Sequence, residues 1–206
     1  MHKIDVEQGS LEWHRLRQAK VTGTTLKSAL GSPKVQETLM YKIIAELMTE
    51  PQISDLNSAS VARGRELEPI ARKAVEAKLN INFTETGMLV SDDVEGFGMS
   101  PDGIFEDESG KIIGGLEIKC PDSKTHIKYC IDGGLPKEYD DQVKAPFLMS
   151  DDIQWWYFAS FDDRNYELPL FLLRVTRDQW KGLEQEREKL KAFISNVSTQ
   201  HAKITF

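Results

Sequence analysis

The sequence is poor in cysteine and has no excess of basic residues. Its two cysteines, Cys120 and Cys130, are too few for a disulfide-rich scaffold, a four-cysteine zinc site or an iron–sulfur cluster held by four thiolates. Lysine and arginine total 26 against 33 aspartate and glutamate residues, and the net charge is −7. This balance argues against a chain that coats nucleic acid uniformly. It is compatible with a local basic channel, because net charge does not tell where the charges lie.

Long apolar runs are absent as well. No stretch predicts a membrane span and no basic-apolar leader predicts secretion, so we expect a cytoplasmic protein without a membrane partner. The chain also lacks an internal repeat and a linker rich in Gly, Ser or Pro. Its 206 residues, 40% hydrophobic and 29% charged, suffice for a globular domain with a substantial core. We therefore expect a single domain over residues 1–206.

Hydrophobic periodicity predicts helices and strands in an order typical of an α/β or α+β domain with a mixed central sheet. Pro69 is expected to start or kink the second predicted helix, and the segment 107–110 predicts the turn of a hairpin. The predicted helices cover residues 33–49, 58–79, 137–149 and 177–197. The predicted strands lie within residues 81–91, 96–106, 112–121, 153–162 and 168–176.

Charged residues interrupt the apolar hairpin in a pattern that predicts a metal site. Residues two apart in a strand face the same side, so Glu117 and Lys119 project together. If the preceding strand pairs with theirs, Asp102 lies beside Glu117, and a divalent cation would relieve the repulsion of the two carboxylates. Mg²⁺ favours carboxylate ligands, and the carbonyl of Ile118 could be a further ligand. The lysine could activate or orient a water molecule, or stabilise the charge that develops on a phosphate. The alternative is a surface hairpin with a weak ion pair.

Several motifs resemble, in their order, those of a known nuclease family. Pro101-Asp102 followed by Glu117-Ile118-Lys119 resembles the PD-(D/E)xK nuclease motif. Residues 7–31 and 62–72 resemble the opening and the helix motif of the phage lambda-type alkaline exonucleases, also called YqaJ-like viral recombinases. The motifs W-x-x-x-R with Thr-Gly-Thr, R-G-x-x-x-E, S-P-D-G, L-E-I-K-C-P and a helical glutamine follow one another in the family's order. The resemblance implies a restriction-endonuclease-like core, with a mixed central sheet flanked by helices.

The resemblance implies a role for each charged residue of the hairpin. Asp102 and Glu117 would bind the metal, Ile118 would lend its carbonyl, and Lys119 would be the catalytic lysine. Glu68 resembles the helix glutamate that holds water near the metal in such enzymes, the alternative being an ordinary solvated glutamate. The implied cofactor is Mg²⁺, about two ions, with Mn²⁺ as a possible substitute.

A second group of residues resembles the site that holds the 5′-phosphate of DNA in this family. Arg17 matches the phosphate-binding arginine, and a planar guanidinium suits this task because it pairs with two phosphate oxygens at once. Thr24, Ser100 and Gln142 would complete the site. The residues leave alternatives open, since Arg17 could form a surface salt bridge and Thr24 could cap the helix that follows it. Trp13 is expected to pack rather than to react.

The resemblance implies a Mg²⁺-dependent exonuclease that degrades one strand of linear double-stranded DNA in the 5′-to-3′ direction. It would release mononucleotides and leave 3′ single-stranded overhangs for a single-strand annealing protein, in the cytoplasm of a bacterium that carries a phage or prophage. The family's ring-shaped homotrimer would surround the DNA. Two alternatives stay open: a structure- or sequence-specific endonuclease on the same core, and a DNA-binding module without activity.

Overall fold

Two β-sheets organise the residues that the computed structural model describes, 1–51 and 59–205. The smaller, antiparallel sheet contains β1 (His2–Ile4), β2 (Met88–Val90) and β3 (Gly98–Met99). The larger sheet contains, in this spatial order, β4 (Gly103–Glu106), β5 (Ile112–Lys119), β6 (Trp155–Phe161) and β7 (Leu170–Thr176). β5 runs parallel to β6, and the other two pairs are antiparallel. The predicted fold class with a mixed central sheet is confirmed.

Seven α-helices lie around the sheets in the described ranges. The predicted helices correspond to the third, fourth, sixth and seventh of them, and Ser58, at the start of the second prediction, lies outside the described residues. None of the described helices is long and apolar enough to cross a membrane. The helices are α1 (Leu11–Arg17), α2 (Leu26–Ala29), α3 (Pro33–Leu47), α4 (Ala59–Leu79), α5 (Ser123–Asp132), α6 (Asp140–Met149) and α7 (Leu183–Ala202).

Helix ends differ from the prediction for local reasons. Pro69 lies inside α4 and does not start it, so its missing N–H falls within the helix. Residues 177–179 form a separate 3₁₀ turn, and α7 begins only after Gly182, whose φ of 76° is left-handed and suits glycine. The periodicity predicts no helix at α5, which Asp122 caps by accepting a hydrogen bond from the N–H of Thr125.

The predicted strand at 96–106 is wrong as a single element. β3 and β4 are separated by Ser100-Pro101-Asp102 and belong to different sheets. Proline has no N–H to donate to a strand ladder, so the chain steps at this point from one sheet to the other. The predicted strand at 81–91 is shortened to β2, and the predicted turn at 107–110 is present.

The larger sheet is buried on both faces. On one face, apolar residues of α4 cluster with Leu116, Ile118 and Trp155, and on the other Trp156 and Phe158 join the core of α3, α6 and α7. β5 approaches the tryptophans of β6 closely, because an added Cβ at its two central glycines would lie 2.4 and 2.2 Å from their rings. This packing holds the carboxyl end of β5, which carries the charged residues, in a fixed place.

Candidate active site

Asp102 lies at the step between the two sheets, where β5 fixes both its backbone and its side chain. Its N–H donates to the carbonyl of Leu116 at 3.2 Å, which extends the β4–β5 ladder by one residue. Its carboxylate Oδ2 accepts a hydrogen bond from the N–H of Ile118 at 2.5 Å. The structure thus brings Asp102 beside the strand that carries Glu117.

Glu117 and Lys119 project from the same side of β5, as strand alternation requires. Lys119 Nζ donates to Glu117 Oε1 at 2.5 Å, and the side chains of Lys119 and Glu117 are only 25% and 7% exposed. The ammonium also lies 5.2 Å from the centre of the Tyr139 ring, within the range of a cation–π contact. The alternative of a solvated surface pair is therefore wrong.

Burial and neighbouring charges shift the pKa values of Asp102 and Lys119. Burial raises the pKa of the Asp102 carboxyl well above its ordinary value, and the charge of Glu117 raises it further. Burial lowers the pKa of Lys119, but the carboxylates of Glu117 and Asp102 raise it by more, so that it lies above the usual lysine range. Lys119 is therefore an ammonium ion at neutral pH.

The donor set fits a hard divalent cation. A cation beside Asp102 and Glu117 would offset the burial and like charge that raise the pKa of Asp102. Mg²⁺ commonly takes one or two carboxylates and completes its shell with water and phosphate oxygens. Among residues 1–51 and 59–205, no group of three or more His, Cys, Asp or Glu side chains is placed to hold a metal ion. Such a cation would therefore depend on these two carboxylates, on backbone carbonyls such as that of Ile118, and on water.

Glu68 reaches the site from α4 through an arginine that sequence reasoning missed. Arg72, one turn further along α4, donates from Nη2 to Glu68 Oε1 at 2.9 Å and from Nε to the Asp102 carbonyl at 2.7 Å. Burial raises the pKa of Glu68 more than the charge of Arg72 lowers it. Glu68 is therefore not the ordinary solvated glutamate of the alternative interpretation. The available signal for Arg72 was its spacing of four residues from Glu68 on one helix.

Arg17 borders the same cleft from the end of α1. Its guanidinium carbon lies 4.5 Å from the centre of the Trp13 ring, and its Nη1 donates to Ser100 Oγ at 3.0 Å. Trp13 Nε1 donates to the same hydroxyl at 2.8 Å, so Trp13 packs, as expected, and also orients Ser100. No carboxylate in the described ranges forms a salt bridge with Arg17. Burial lowers the pKa of this arginine, so an anion beside it would be favourable.

Thr24 and Gln142 border the cleft from two closely packed segments. A Cβ on Gly23 would lie 3.1 Å from Gln142 Cα, so the loop containing Thr24 packs closely against α6 and a larger residue would require a small shift. Thr24 is exposed, and its hydroxyl oxygen lies 3.0 Å from that of Thr22. The alternative capping role of Thr24 is wrong, because the N-cap position of α2 is Thr25.

One cleft of about 170 Å³ gathers most of the predicted site residues. Glu68 borders an adjoining cavity of about 650 Å³, which shares Asp102, Gln8 and Trp13 with the cleft. Gln8 lies in the block 7–31 but was not predicted as a site residue; it donates to the carbonyls of Thr86 and Pro101. The predicted residues in the cleft are Arg17, Thr24, Ser100, Asp102, Glu117, Lys119 and Gln142.

The chain has relatives that can be recognised both by sequence and by structure. The sequence model of the YqaJ-like viral recombinase domain matches residues 12–151, more than half of the chain. No match is found among curated proteins. Two solved structures of LHK-Exo, an alkaline exonuclease from Laribacter hongkongensis, each cover 95% of this chain and 96% of their own, with TM-scores of 0.82 and 0.80 at 28% and 30% identity. The second of these is a complex with dAMP.

A more distant structure shows the same fold. The phage-related exonuclease from Haemophilus somnus 129PT is 12% identical, with a TM-score of 0.61 over 92% of this chain and 98% of that one. The mixed sheet and its helices are thus the architecture of alkaline exonucleases over nearly the whole length of the chain.

Proposed function

The chain belongs to the family of YqaJ-like viral recombinase domains, and we propose that it is a Mg²⁺-dependent exonuclease that degrades one strand of linear double-stranded DNA from the 5′ end. The proposal rests on one observation: a single cleft contains two groups of residues. They are the carboxylate–lysine cluster (Asp102, Glu117 and Lys119) and an arginine recess (Arg17, Thr24, Ser100 and Gln142). The cluster suits phosphodiester hydrolysis, and the recess suits selection of a phosphorylated end. The products would be mononucleotides and a 3′ single-stranded overhang.

Asp102 and Glu117 would hold about two Mg²⁺ ions together with the carbonyl of Ile118, and Mn²⁺ could replace Mg²⁺. When bound, the cation supplies Lewis-acid stabilisation of phosphoryl oxygens and a lowered pKa of water. The chain itself keeps the two carboxylates in place. The N–H of Ile118 holds the carboxylate of Asp102, and the ammonium of Lys119 holds that of Glu117. The raised pKa of Asp102 supports the assignment, because a cation offsets both of its causes.

Lys119 would orient or deprotonate the attacking water. Its pKa lies above the usual range because of Glu117 and Asp102, although burial alone would lower it. In its ammonium form, Lys119 can also stabilise the negative charge that develops on the phosphoryl group. Glu68, held by Arg72, would accept a hydrogen bond from that water.

Arg17 would bind the terminal 5′-phosphate. The guanidinium uses one donor for Ser100, and its planar fork can present others to two phosphate oxygens. Ser100 Oγ accepts from both Arg17 and Trp13, which leaves its own O–H to donate to the phosphate. Thr24 and Gln142 would add polar contacts from the facing side. A terminal phosphate held here would bring the first phosphodiester bond of the strand to Asp102 and Glu117, which accounts for the 5′-to-3′ direction.

The proposal includes the oligomeric state and the cellular location. A single domain over residues 1–206 would form a ring-shaped homotrimer around DNA and supply overhangs to a single-strand annealing protein in a bacterial cytoplasm. A ring reconciles DNA binding with the net charge of −7, because a closed ring needs little nonspecific affinity to stay on DNA. Light scattering at micromolar concentration is expected to give the mass of a trimer, and a monomeric mass would overturn this part.

End-labelled DNA provides the test of the proposed function. Linear duplexes with a 5′-phosphate or a 5′-hydroxyl, labelled at the 5′ or 3′ end, are incubated with Mg²⁺ beside a closed circular duplex. We expect early release of a labelled 5′-mononucleotide from phosphorylated ends and an intact circle. Nicking of the circle would favour the endonuclease alternative, and binding without cleavage would favour the inactive DNA-binding module.

Replacement of Arg17 by alanine is expected to remove most of the preference for phosphorylated ends. A hydrogen bond to a charged group contributes about 1.5–3 kcal/mol, so the ratio of initial rates on the two ends should fall by about 10- to 100-fold. Arg15→Ala is the matched control, since Arg15 is an exposed arginine of α1 paired with Glu50. An unchanged ratio in Arg17→Ala would refute the phosphate assignment.

A further inference from the structure

Arg72 joins three segments that are distant from one another in the chain. Its side chain is 9% exposed, and each of its three guanidinium nitrogens has a different acceptor. Nε donates to the carbonyl of Asp102 at 2.7 Å, Nη2 donates to Glu68 Oε1 at 2.9 Å, and Nη1 pairs with Glu85. One planar group therefore connects α4, the loop before β2 and the peptide that carries Asp102.

The turn of α4 that contains Glu68 needs such a tether. Pro69 follows Glu68 inside the helix, and a proline there removes one backbone hydrogen bond and displaces the preceding turn. The contact with Arg72 therefore supplements the helix in setting the position of the Glu68 carboxylate. A lysine could not replace this arrangement, because its single nitrogen does not present donors in the fixed plane of a guanidinium.

We infer that Arg72 is a positioning residue that holds the Glu68 carboxylate at a set distance from Asp102, and that cation affinity and turnover depend on it through Glu68. This inference rests on the proposed function, in which both carboxylates serve one metal-dependent site. Arg72 would not touch the substrate or the cation. Its effect would resemble that of outer hydrogen-bond partners of metal ligands, whose loss commonly costs about 10- to 100-fold in affinity or activity.

Arg63 provides a matched comparison on the same helix. It also donates to backbone carbonyls at the end of β5, those of Cys120 and Pro121 at 3.1 and 3.2 Å, and it pairs with Asp162. In the described part of the chain, no hydrogen bond or salt bridge joins Arg63 to Glu68 or Asp102. Arg63→Lys thus perturbs the attachment of α4 to the sheet without releasing Glu68.

The experiment compares Mn²⁺ binding by calorimetry without DNA, kcat and KM on a linear duplex, and thermal unfolding. In Arg72→Lys, we expect the Kd for Mn²⁺ to rise and kcat to fall by about tenfold or more, while KM for DNA stays within about twofold. In Arg63→Lys, the Kd for Mn²⁺ is expected to stay within about twofold of the wild-type value, whatever the change in Tm. Glu85→Gln, at a 75% exposed side chain, loosens Arg72 without a change in the core and should raise the Kd by about threefold.

A double-mutant cycle separates positioning from general stability. If Arg72 acts through Glu68, Arg72→Lys changes the Kd by less than about threefold in a Glu68→Gln background. The inference would be overturned if the effects of Arg72→Lys and Glu68→Gln on the Kd for Mn²⁺ were fully additive. An unchanged Kd in every variant that folds would also overturn it. Failure of the proposed function gives a different result: wild-type protein that binds Mn²⁺ and cleaves no DNA removes the nuclease assignment, while the cycle on Mn²⁺ affinity still decides the role of Arg72.

Discussion

Lys119→Ala is expected to lower the rate of DNA cleavage by about 10²- to 10⁴-fold, the range for loss of a positioned proton-transfer or charge-stabilising group. The ammonium of Lys119 lies beside Glu117 and keeps its proton because of the surrounding carboxylates. Alanine removes the donor that orients water and stabilises the developing charge, while the Arg17 recess stays intact. Single-turnover digestion in saturating Mg²⁺ measures the loss, and filter binding should give a Kd for DNA within about threefold of wild type.

Lys128→Ala is the control for this prediction. Lys128 is an exposed lysine that pairs with Asp132 on the surface of α5, and its loss should leave the cleavage rate unchanged. Thermal unfolding in Mg²⁺ checks the fold of Lys119→Ala, because a cation can offset the charge of Glu117 once its partner is gone. Cleavage by Lys119→Ala within about threefold of wild type would show that the lysine has no part in the chemistry.

Asp102→Asn is expected to inactivate the protein and, in EDTA, to stabilise it. A bound cation stabilises the transition state by several kcal/mol. Loss of this stabilisation corresponds to a decrease in rate of about 10³-fold or more. Without a cation, the buried Asp102 carboxylate is destabilised by burial and by Glu117, as its raised pKa indicates, and a neutral amide is not. Removal of such a group at a functional site commonly adds about 0.5–2 kcal/mol, which would raise the Tm by a few degrees in a chain of this size.

In Mg²⁺, the wild-type protein should become more stable than Asp102→Asn. Wild-type protein is expected to gain Tm with increasing Mg²⁺, since a ligand that binds only the folded state stabilises it, and Asp102→Asn should gain much less. Asp152→Asn, at a surface residue paired with Lys111, is the control and should respond like wild type. A lower Tm of Asp102→Asn in EDTA would contradict the account of Asp102 as a carboxylate that is stabilised by a cation.

The core of the candidate site is predictable from local rules. Strand alternation alone determines that Glu117 and Lys119 face the same side of β5. The turn at 107–110 is also local, because Asp107 accepts hydrogen bonds from the backbone N–H groups of Ser109 and Lys111. The turn alone does not place Asp102 beside Glu117, because the β4–β5 register shifts by one residue between Phe105 and Glu106.

The supporting contacts are not predictable in this way, because they join segments that only packing brings together. Trp13 and Ser100 are 87 positions apart, and Arg72 and the carbonyl of Asp102 are 30 positions apart. No local pattern shows that these residues contact each other. The raised pKa of Lys119 has the same origin, because burial lowers it and the carboxylates of Glu117 and Asp102, brought close by packing, raise it by more. Short elements such as β1 escape prediction because three residues carry too little periodicity.

The step Ser100-Pro101-Asp102 has a consequence for how much DNA each turnover removes. Ser100 belongs to the proposed recess for the terminal phosphate and Asp102 to the proposed hydrolytic centre, and proline fixes the backbone between them. Two residue steps span at most about 7 Å, a length comparable with the separation of neighbouring phosphates along one strand. The backbone would act as a ruler of one nucleotide, so that every cycle shortens the strand by the same unit whatever its base sequence.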